Sequence, residues 1–230
     1  MRVFAIGDPH LSHFKPKPMD IFGENWRDHD KQIMNNWNAI GTDDDILILA
    51  GDLSWAMKLE EFLPDLEYIS ALKGRKILIK GNHDLWWSSA SKVRRVLPPG
   101  VDILDHDSIV INGIAFVGTR GWTIPERESF NEEEDRKIYE REVGRLGLAF
   151  DSLKGKSYDH LTAIIHYPPT NQNGDETAFT KIIEEHGTEI CVYGHLHSNH
   201  IPTGFNGQRG STRYKLVSAD SVNFTPYQIL

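Results

Sequence analysis

The chain has 230 residues, of which 39% are hydrophobic and 25% are charged, proportions typical of an ordinary globular protein. Its formal net charge of -8 disfavours a protein built mainly to bind nucleic acid, because nonspecific binding to a phosphate backbone depends on lysine and arginine. The first residues contain an apolar run too short for a signal peptide, and no later run approaches the length of a membrane span. We therefore expect a cytoplasmic protein without membrane attachment.

Short apolar runs typical of buried strands alternate along the chain with segments of helical periodicity. Strands are predicted at residues 3–6, 46–50, 76–79, 114–117, 161–165, 189–193 and 214–218. Helices are predicted at residues 28–40, 59–72, 135–153 and 177–186. This alternation predicts a layered α/β fold whose sheet is buried on both faces.

The length fits one domain, and we expect residues 1–230 to form it. The irregular stretch at 119–134 is the predicted insertion, and its acidic end, Glu132-Glu133-Glu134-Asp135, is typical of a solvated helix start. The single cysteine, Cys191, lies in an apolar run and is predicted to be a buried thiol. One cysteine excludes an internal disulfide framework and a zinc site made of several thiolates.

Five predicted strands end in residue types that bind divalent first-row metals. Because ligands of open α/β sheets bind beyond the carboxyl ends of the strands, these positions are expected to converge. In chain order the motifs are Gly7-Asp8-Pro9-His10, Gly51-Asp52, Gly81-Asn82-His83-Asp84, His166 and Gly194-His195-Leu196-His197. Each motif alone has a structural alternative, such as a Gly-Asp turn or a structural histidine, but their ordered combination favours a metal site.

This ordered set of motifs resembles the calcineurin-like metallophosphoesterase superfamily and covers residues 7–197. The resemblance implies an α/β fold arranged as a four-layer α/β/β/α sandwich of two mixed β-sheets flanked by helices. Asp8-Pro9-His10-Leu11-Ser12 and the aspartate at position 84 resemble the phosphodiesterase-like branch more than the protein phosphatases, which carry glutamate at the latter position.

The resemblance implies two divalent transition-metal ions, each held by four side chains. The implied first site consists of Asp8, His10, Asp52 and His197, and the implied second site consists of Asp52, Asn82, His166 and His195. Asp52 would bridge the two ions, since two close cations need an anion between them. Mixed nitrogen and oxygen ligands suit manganese, iron, zinc, cobalt or nickel and do not select one of them.

In the superfamily pattern a hydroxide shared by both metals attacks phosphorus, and His83 stands by the phosphate or the leaving group. Asp84 would hold the His83 imidazole in one tautomer, which makes His83 and Asp84 the implied catalytic pair. Arg120 follows another apolar strand and is a candidate to bind a substrate phosphate, although a surface arginine in a loop fits equally.

The expected function is therefore hydrolysis of small phosphomonoesters or phosphodiesters. Two alternatives remain: a catalytically inactive scaffold with this fold, and a nuclease of the same superfamily. All implied ligand positions are filled, which disfavours the scaffold. The net charge and the lack of a Lys/Arg cluster disfavour the nuclease, so nucleic acid is not an expected partner. The motifs do not specify the substrate or the oligomeric state.

Overall fold

The structure is a computed structural model that describes residues 1–230. Its first sheet has five strands: β1 (Val3–Ile6), β2 (Ile46–Leu49), β3 (Arg75–Ile79), β4 (Val101–Leu104) and β11 (Tyr227–Gln228). Their order is β11-β1-β2-β3-β4, and β11 alone is antiparallel to its neighbour. The first sheet is therefore mixed, with four parallel strands.

The second sheet has six strands: β5 (Asp107–Ile111), β6 (Ile114–Thr119), β7 (His160–Ile165), β8 (Ile190–Tyr193), β9 (Gly207–Arg209) and β10 (Thr212–Leu216). Their order is β5-β6-β7-β8-β10-β9. The four central strands are parallel, and β5 and β9 pair antiparallel at the two edges.

The α-helices are α1 (His29–Ile40), α2 (Leu59–Ala71), α3 (Ala90–Arg94), α4 (Glu132–Asp151) and α5 (Ala178–Glu185). Short 3-10 helices occur at Asp20–Phe22, Glu24–Trp26, Ser198–Thr203 and Ala219–Val222. No helix combines the length and the apolar character needed to cross a bilayer.

Alternation of side chains along the strands explains the layers. In β1, Val3 and Ala5 belong to an apolar cluster shared by both sheets, whereas Phe4 and Ile6 belong to the cluster that includes residues of α1 and α2. A separate cluster joins the second sheet to α4 and α5. Since successive strand residues point to opposite faces, a strand apolar throughout contributes to two cores at once. The predicted α/β/β/α sandwich of two mixed sheets is confirmed.

All seven predicted strands are present, and the four unpredicted ones, β4, β5, β9 and β11, are the edge strands of the two sheets. An edge strand has one unpaired side and tolerates polar residues, so its sequence lacks the continuous apolar run of an interior strand. Asp102 interrupts β4, and β9 consists of Gly207, Gln208 and Arg209.

Residues 120–131, between β6 and α4, contain no helix or strand. The acidic start of α4 is confirmed: its first residue is Glu132, and the Asn131 side chain accepts hydrogen bonds from the backbone N–H groups of Glu133 at 3.0 Å and Glu134 at 3.4 Å. The helix thus begins three residues before the predicted residue 135, because an asparagine N-cap satisfies its first donors. That residues 119–134 are an insertion in a single domain stays a prediction.

Candidate metal centre

The five motif-bearing strand ends meet at one end of the sandwich, where backbone hydrogen bonds join the β1 motif to the β2 motif and the β7 motif to the β8 motif. The Asp8 N–H donates to the Gly51 carbonyl at 2.9 Å, and the His10 N–H donates to the Asp52 carbonyl at 3.0 Å. From the second sheet, the Gly194 N–H donates to the His166 carbonyl at 3.1 Å. These bonds follow from the parallel strand order, which places the carboxyl ends side by side.

Four predicted ligands have a left-handed backbone that non-glycine residues rarely adopt. The φ angles are 57° at Asp8, 44° at His10, 50° at Asp52 and 75° at His195. Such conformations cost of order 1–3 kcal/mol each and persist where the surrounding structure fixes them. Their concentration at these strand ends is typical of functional sites.

The glycines of the motifs make room for ligand side chains. A Cβ atom built on Gly51 would lie 2.5 Å from His166 Nδ1, and one built on Gly81 would collide with the Asp52 carboxylate. A Cβ atom on Gly194 would collide with the Asp8 carboxylate. The Gly-Asp, Gly-Asn-His-Asp and Gly-His-x-His patterns therefore reflect close packing of ligand groups against backbone.

Asp8, His10 and His197 form the first cluster of possible ligands, each offering one ligand atom within 4.8 Å of the others. Asp8 Oδ1 lies 3.4 Å from His197 Nε2, and Asp8 is fully buried. The opposite ring nitrogen of His197, Nδ1, lies 2.8 Å from Asp220 Oδ1. This contact holds the Nε2 atom of His197 towards Asp8 and fixes the ring tautomer in the way a carboxylate orients a metal-binding histidine.

Asp52, His166 and His195 form the second cluster, with the same 4.8 Å spacing of ligand atoms. Asn82 Oδ1 completes it, because it lies 2.8 Å from His166 Nε2 and 2.9 Å from His195 Nδ1. His166 Nδ1 lies 3.0 Å from the Ala50 carbonyl, which leaves Nε2 directed into the cluster. All four residues implied for the second metal therefore converge.

Asp52 stands between the two clusters. Its Oδ2 atom lies 3.4 Å from His166 Nε2 in the second cluster and 3.9 Å from His10 Nε2 in the first. Its Oδ1 atom accepts the His83 backbone N–H at 2.7 Å. One carboxylate oxygen is thus held by the protein and the other faces imidazoles of both clusters, the position that a bridging ligand requires.

The two carboxylates and four imidazoles perturb one another strongly. Burial opposes the charge on His166 and His197, but neighbouring carboxylates raise the pKa of His166 to about 9 and that of His197 to about 10. Burial also opposes the charge on Asp52, but the neighbouring imidazoles, His166 foremost, hold its pKa far below the usual range. Burial lowers the pKa of His10 to about 4 and that of His195 to about 3, so both imidazoles are neutral and available as ligands.

The donor set fits a pair of divalent metal ions. His10 Nδ1 and His197 Nε2 are buried nitrogen atoms without a hydrogen-bond partner in the protein, and His197 Nε2 faces Asp8 in the first cluster. Imidazole, carboxylate and amide groups together match the ligand chemistry of first-row transition metals. The residues that would hold the ions are Asp8, His10, Asp52, Asn82, His166, His195 and His197.

His83 and Asp84 do not form the pair that the resemblance implies. The His83 ring is exposed, and its centroid lies 4.6 Å from that of Trp55 and 5.7 Å from that of His10. Asp84 is fully buried and makes no contact with the His83 ring, because its carboxylate accepts other donors. These donors are the backbone N–H groups of Leu53, Ser54 and Gly81 and the indole N–H of Trp86. Asp84 therefore ties together the loops after β2 and β3, and its predicted orientation of His83 is wrong.

We expect Asp84→Asn to destabilise the fold. Asp84 Oδ2 accepts the Gly81 N–H at 2.7 Å, and an asparagine would place an NH₂ group against that donor. Leaving a buried donor unsatisfied costs about 1–3 kcal/mol of unfolding free energy, measurable by urea denaturation of the metal-free protein. Asp44→Asn, at an exposed position without side-chain hydrogen bonds, is the control. Equal stability of both variants would contradict this structural role.

The partners of the Arg120 side chain lie outside the two ligand clusters. One guanidinium nitrogen lies 3.3 Å from Glu142 Oε1, and the guanidinium stacks 4.6 Å from the centroid of the Trp122 ring. Glu142 is fully buried and also pairs with Arg141 and Arg145. Arg120 therefore has a buried carboxylate partner, which it shares with two other arginines.

Asp220 and Trp55 belong to the site and are missing from the sequence prediction. Asp220 follows β10 on a 3-10 helix, where a lone aspartate gives no signal beyond its position after a strand. The Trp55 ring stacks on His10 with centroids 4.9 Å apart and an interplanar angle of 18°. No motif surrounds Trp55, so only its packing identifies it.

Three solved structures share this fold, each at 16% sequence identity. Phosphopantetheinyl hydrolase from Mycobacterium tuberculosis aligns with a TM-score of 0.58 over 100% of this chain and 95% of its own. A protein from Thermus thermophilus aligns with a TM-score of 0.58 over 96% of this chain and 90% of its own. A protein of unknown function from Aquifex aeolicus aligns with a TM-score of 0.52 over 99% of this chain and 95% of its own.

None of the curated proteins matches the chain. The family model described as calcineurin-like phosphoesterase matches residues 1–199, a range that includes both ligand clusters and the His83 loop. This match confirms the resemblance carried by the strand-end motifs, and the chain belongs to the calcineurin-like phosphoesterase family.

Proposed function

We propose that this protein hydrolyses small phosphomonoesters or phosphodiesters at a centre of two divalent transition-metal ions. The observation that carries the proposal is the position of Asp52 between two clusters of ligand atoms, with its Oδ2 atom facing an imidazole of each. Two bound cations would supply neutralisation of the phosphoryl oxygens and acidification of a water molecule. Membership of the phosphoesterase family supports the same reaction.

The protein contributes an anionic, prearranged set of ligands to this reaction. Asp8 and Asp52 are buried, and burial by itself raises the pKa of each carboxyl group. The neighbouring imidazoles outweigh burial and lower both pKa values, so both groups are ionised. Asp220 and the Ala50 carbonyl orient the rings of His197 and His166, and would select the metal-binding tautomer once each ring has lost its second proton. Ligands held in this way need little rearrangement when the ions bind, which favours affinity and a constant geometry.

His83 is the proposed proton donor or phosphate-binding group of the site. Its ring makes no hydrogen bond within the protein, and it lies at the exposed side of the centre beside His10 and Trp55. A free imidazole at that position can donate a proton to a leaving oxygen or a hydrogen bond to a phosphoryl oxygen. The packing of Trp55 against both histidines positions the His83 ring.

We expect the purified protein to bind about two transition-metal ions and to hydrolyse p-nitrophenyl phosphate or bis(p-nitrophenyl) phosphate. Metal-free protein should be reconstituted separately with manganese, iron, zinc, cobalt and nickel, and its metal content measured beside its turnover. If the protein bound none of these metals and showed no turnover with any of them, the proposal would be refuted. Turnover that survives complete chelation would contradict the metal requirement.

Metal affinity should rise with pH through the neutral range. In the metal-free protein the raised pKa values of His166, about 9, and His197, about 10, keep both imidazoles protonated at pH 7. A metal ion must displace these protons, so binding should release about two protons from these ligands at pH 7, besides a proton lost by metal-bound water, and should become tighter until the pH exceeds about 10. Calorimetry in two buffers with different ionisation enthalpies measures this number. Zero release at pH 7 would contradict the expectation.

A further inference from the structure

Arg127 is a partly buried arginine without a carboxylate partner. Its Nη2 atom donates to the carbonyl oxygens of Thr203 at 3.1 Å and Thr170 at 3.4 Å, and its Nη1 atom donates to the Thr203 hydroxyl at 3.5 Å. Its Nε atom is buried without any acceptor. No aspartate or glutamate lies within ion-pair distance of its guanidinium, in contrast to Arg120 on Glu142. Removing a guanidinium from water without a counter-ion is costly unless a ligand supplies the anion.

Arg127 lines a cavity beside the candidate metal centre. The cavity has a volume of about 250 Å³, and His195 of the second ligand cluster forms part of its wall. Tyr167, another wall residue, packs on the His195 ring with centroids 4.1 Å apart. His195 therefore belongs both to the cavity wall and to the second cluster. A substrate bound at the centre would have the cavity beside it, with room for a further chemical group.

Further polar groups in the same cavity are free to bind a ligand. The His200 ring and the hydroxyl groups of Thr123 and Ser129 line it, and none of them makes a side-chain hydrogen bond within the protein. None of the wall residues is acidic. An arginine, a histidine and two hydroxyl groups without a neighbouring carboxylate form a set of donors suited to an anion.

We propose that Arg127 binds a second anionic group, a carboxylate or a phosphate, on the alcohol part of the phosphoester substrate. This inference rests on the proposed hydrolysis, because the scissile phosphoryl group must lie at the metal centre for the second group to reach the cavity. A guanidinium presents paired N–H donors that match either oxyanion. Arg127 thus takes the role that the sequence suggested for Arg120 and adds selectivity for doubly anionic substrates.

The first test measures anion binding without hydrolysis. Thermal unfolding of the metal-loaded protein is followed with millimolar sodium sulfate against sodium chloride of equal ionic strength, for the wild type, Arg127→Gln, Arg127→Lys and Arg213→Gln. Arg213 is the matched control, since its guanidinium also donates to a backbone carbonyl, that of Ile229 at 2.8 Å, but lies outside the cavity. We expect sulfate to raise the Tm of the wild type and of Arg213→Gln most, that of Arg127→Lys less and that of Arg127→Gln least, because only the metal ions would still bind sulfate in Arg127→Gln. An equal rise in Arg127→Gln would overturn the proposal.

The second test compares matched substrates that differ only in the second group. The carboxylate pair is 3-phosphoglycerate and glycerol 3-phosphate, and the phosphate pair is 1,3-propanediol bisphosphate and 1,3-propanediol monophosphate. We expect Arg127→Gln to raise KM for the doubly anionic member of at least one pair by about 10- to 100-fold and to change kcat little. For the singly anionic member of that pair, KM and kcat should stay unchanged. Which pair responds distinguishes a carboxylate from a phosphate.

The two tests separate failure of this inference from failure of the proposed function. Sulfate binding that depends on Arg127, in a protein that hydrolyses none of the esters, would refute the hydrolysis and retain the anion site. Hydrolysis of p-nitrophenyl phosphate with no response of either substrate pair or of sulfate binding to Arg127→Gln would retain the hydrolysis and refute the anion site.

Discussion

Asp52→Asn is expected to remove at least one of the two metal ions and to lower turnover by about 10³-fold or more. Asp52 Oδ2 faces His166 at 3.4 Å and His10 at 3.9 Å, so the substitution replaces the shared anionic oxygen with a neutral amide. Without that anion, the repulsion between two neighbouring cations is no longer offset. A metal clamp supplies several kcal/mol to phosphoryl transfer, and about 4 kcal/mol corresponds to about 10³-fold in rate.

The control for this variant is Asp45→Asn. Asp45 is also a buried carboxylate, but it precedes β2 and pairs with Arg2, at the opposite end of the strand from Asp52. Its loss should lower stability and leave the metal content at about two. Metal content is measured by mass spectrometry after reconstitution, and turnover is measured with an aryl phosphate. If Asp52→Asn kept both ions and normal turnover while His10→Ala did not, the bridging role would be wrong.

The interior of the fold was predictable because interior strands of a sandwich are apolar on both faces. Such strands give a sequence signal that needs no knowledge of their neighbours, as in Val3–Ile6 and Ile46–Leu49. The edge strands β4, β5, β9 and β11 depend on pairing with one neighbour and carry mixed residues. Pairing is a long-range property, and a short polar segment such as Gly207–Arg209 does not reveal it.

The candidate ligands were predictable for a related reason. Each lies within a few residues of the end of an interior strand, and parallel neighbouring strands bring their carboxyl ends together. Asp84 was misjudged because its partners, Leu53 and Ser54, lie in the loop after another strand. Asp220 and the role proposed for Arg127 were not predictable, because each depends on the surroundings in space: Asp220 contacts His197, and Arg127 has no carboxylate partner.

His83 differs from every other histidine of the centre in being exposed, with a ring that makes no hydrogen bond. Its backbone N–H, which donates to Asp52 at 2.7 Å, would remain in an alanine variant. The ring can therefore be removed without disturbing either ligand cluster. Because the backbone contact to Asp52 remains, His83→Ala tests the catalytic role of the ring separately from metal binding.

We expect His83→Ala to retain about two metal ions and to lower kcat by about 10²- to 10⁴-fold on esters with poor leaving groups, the usual contribution of a positioned proton donor. An alkyl alkoxide needs a proton as it leaves, whereas p-nitrophenolate needs little help, so the loss should be smaller on the aryl ester if proton donation dominates. His160→Ala, at an exposed position at the start of β7, is the control and should match the wild type on both substrates. Metal content and kcat are measured on the same preparations. Loss of a metal ion in His83→Ala, or full activity on an alkyl ester, would show that His83 has another role.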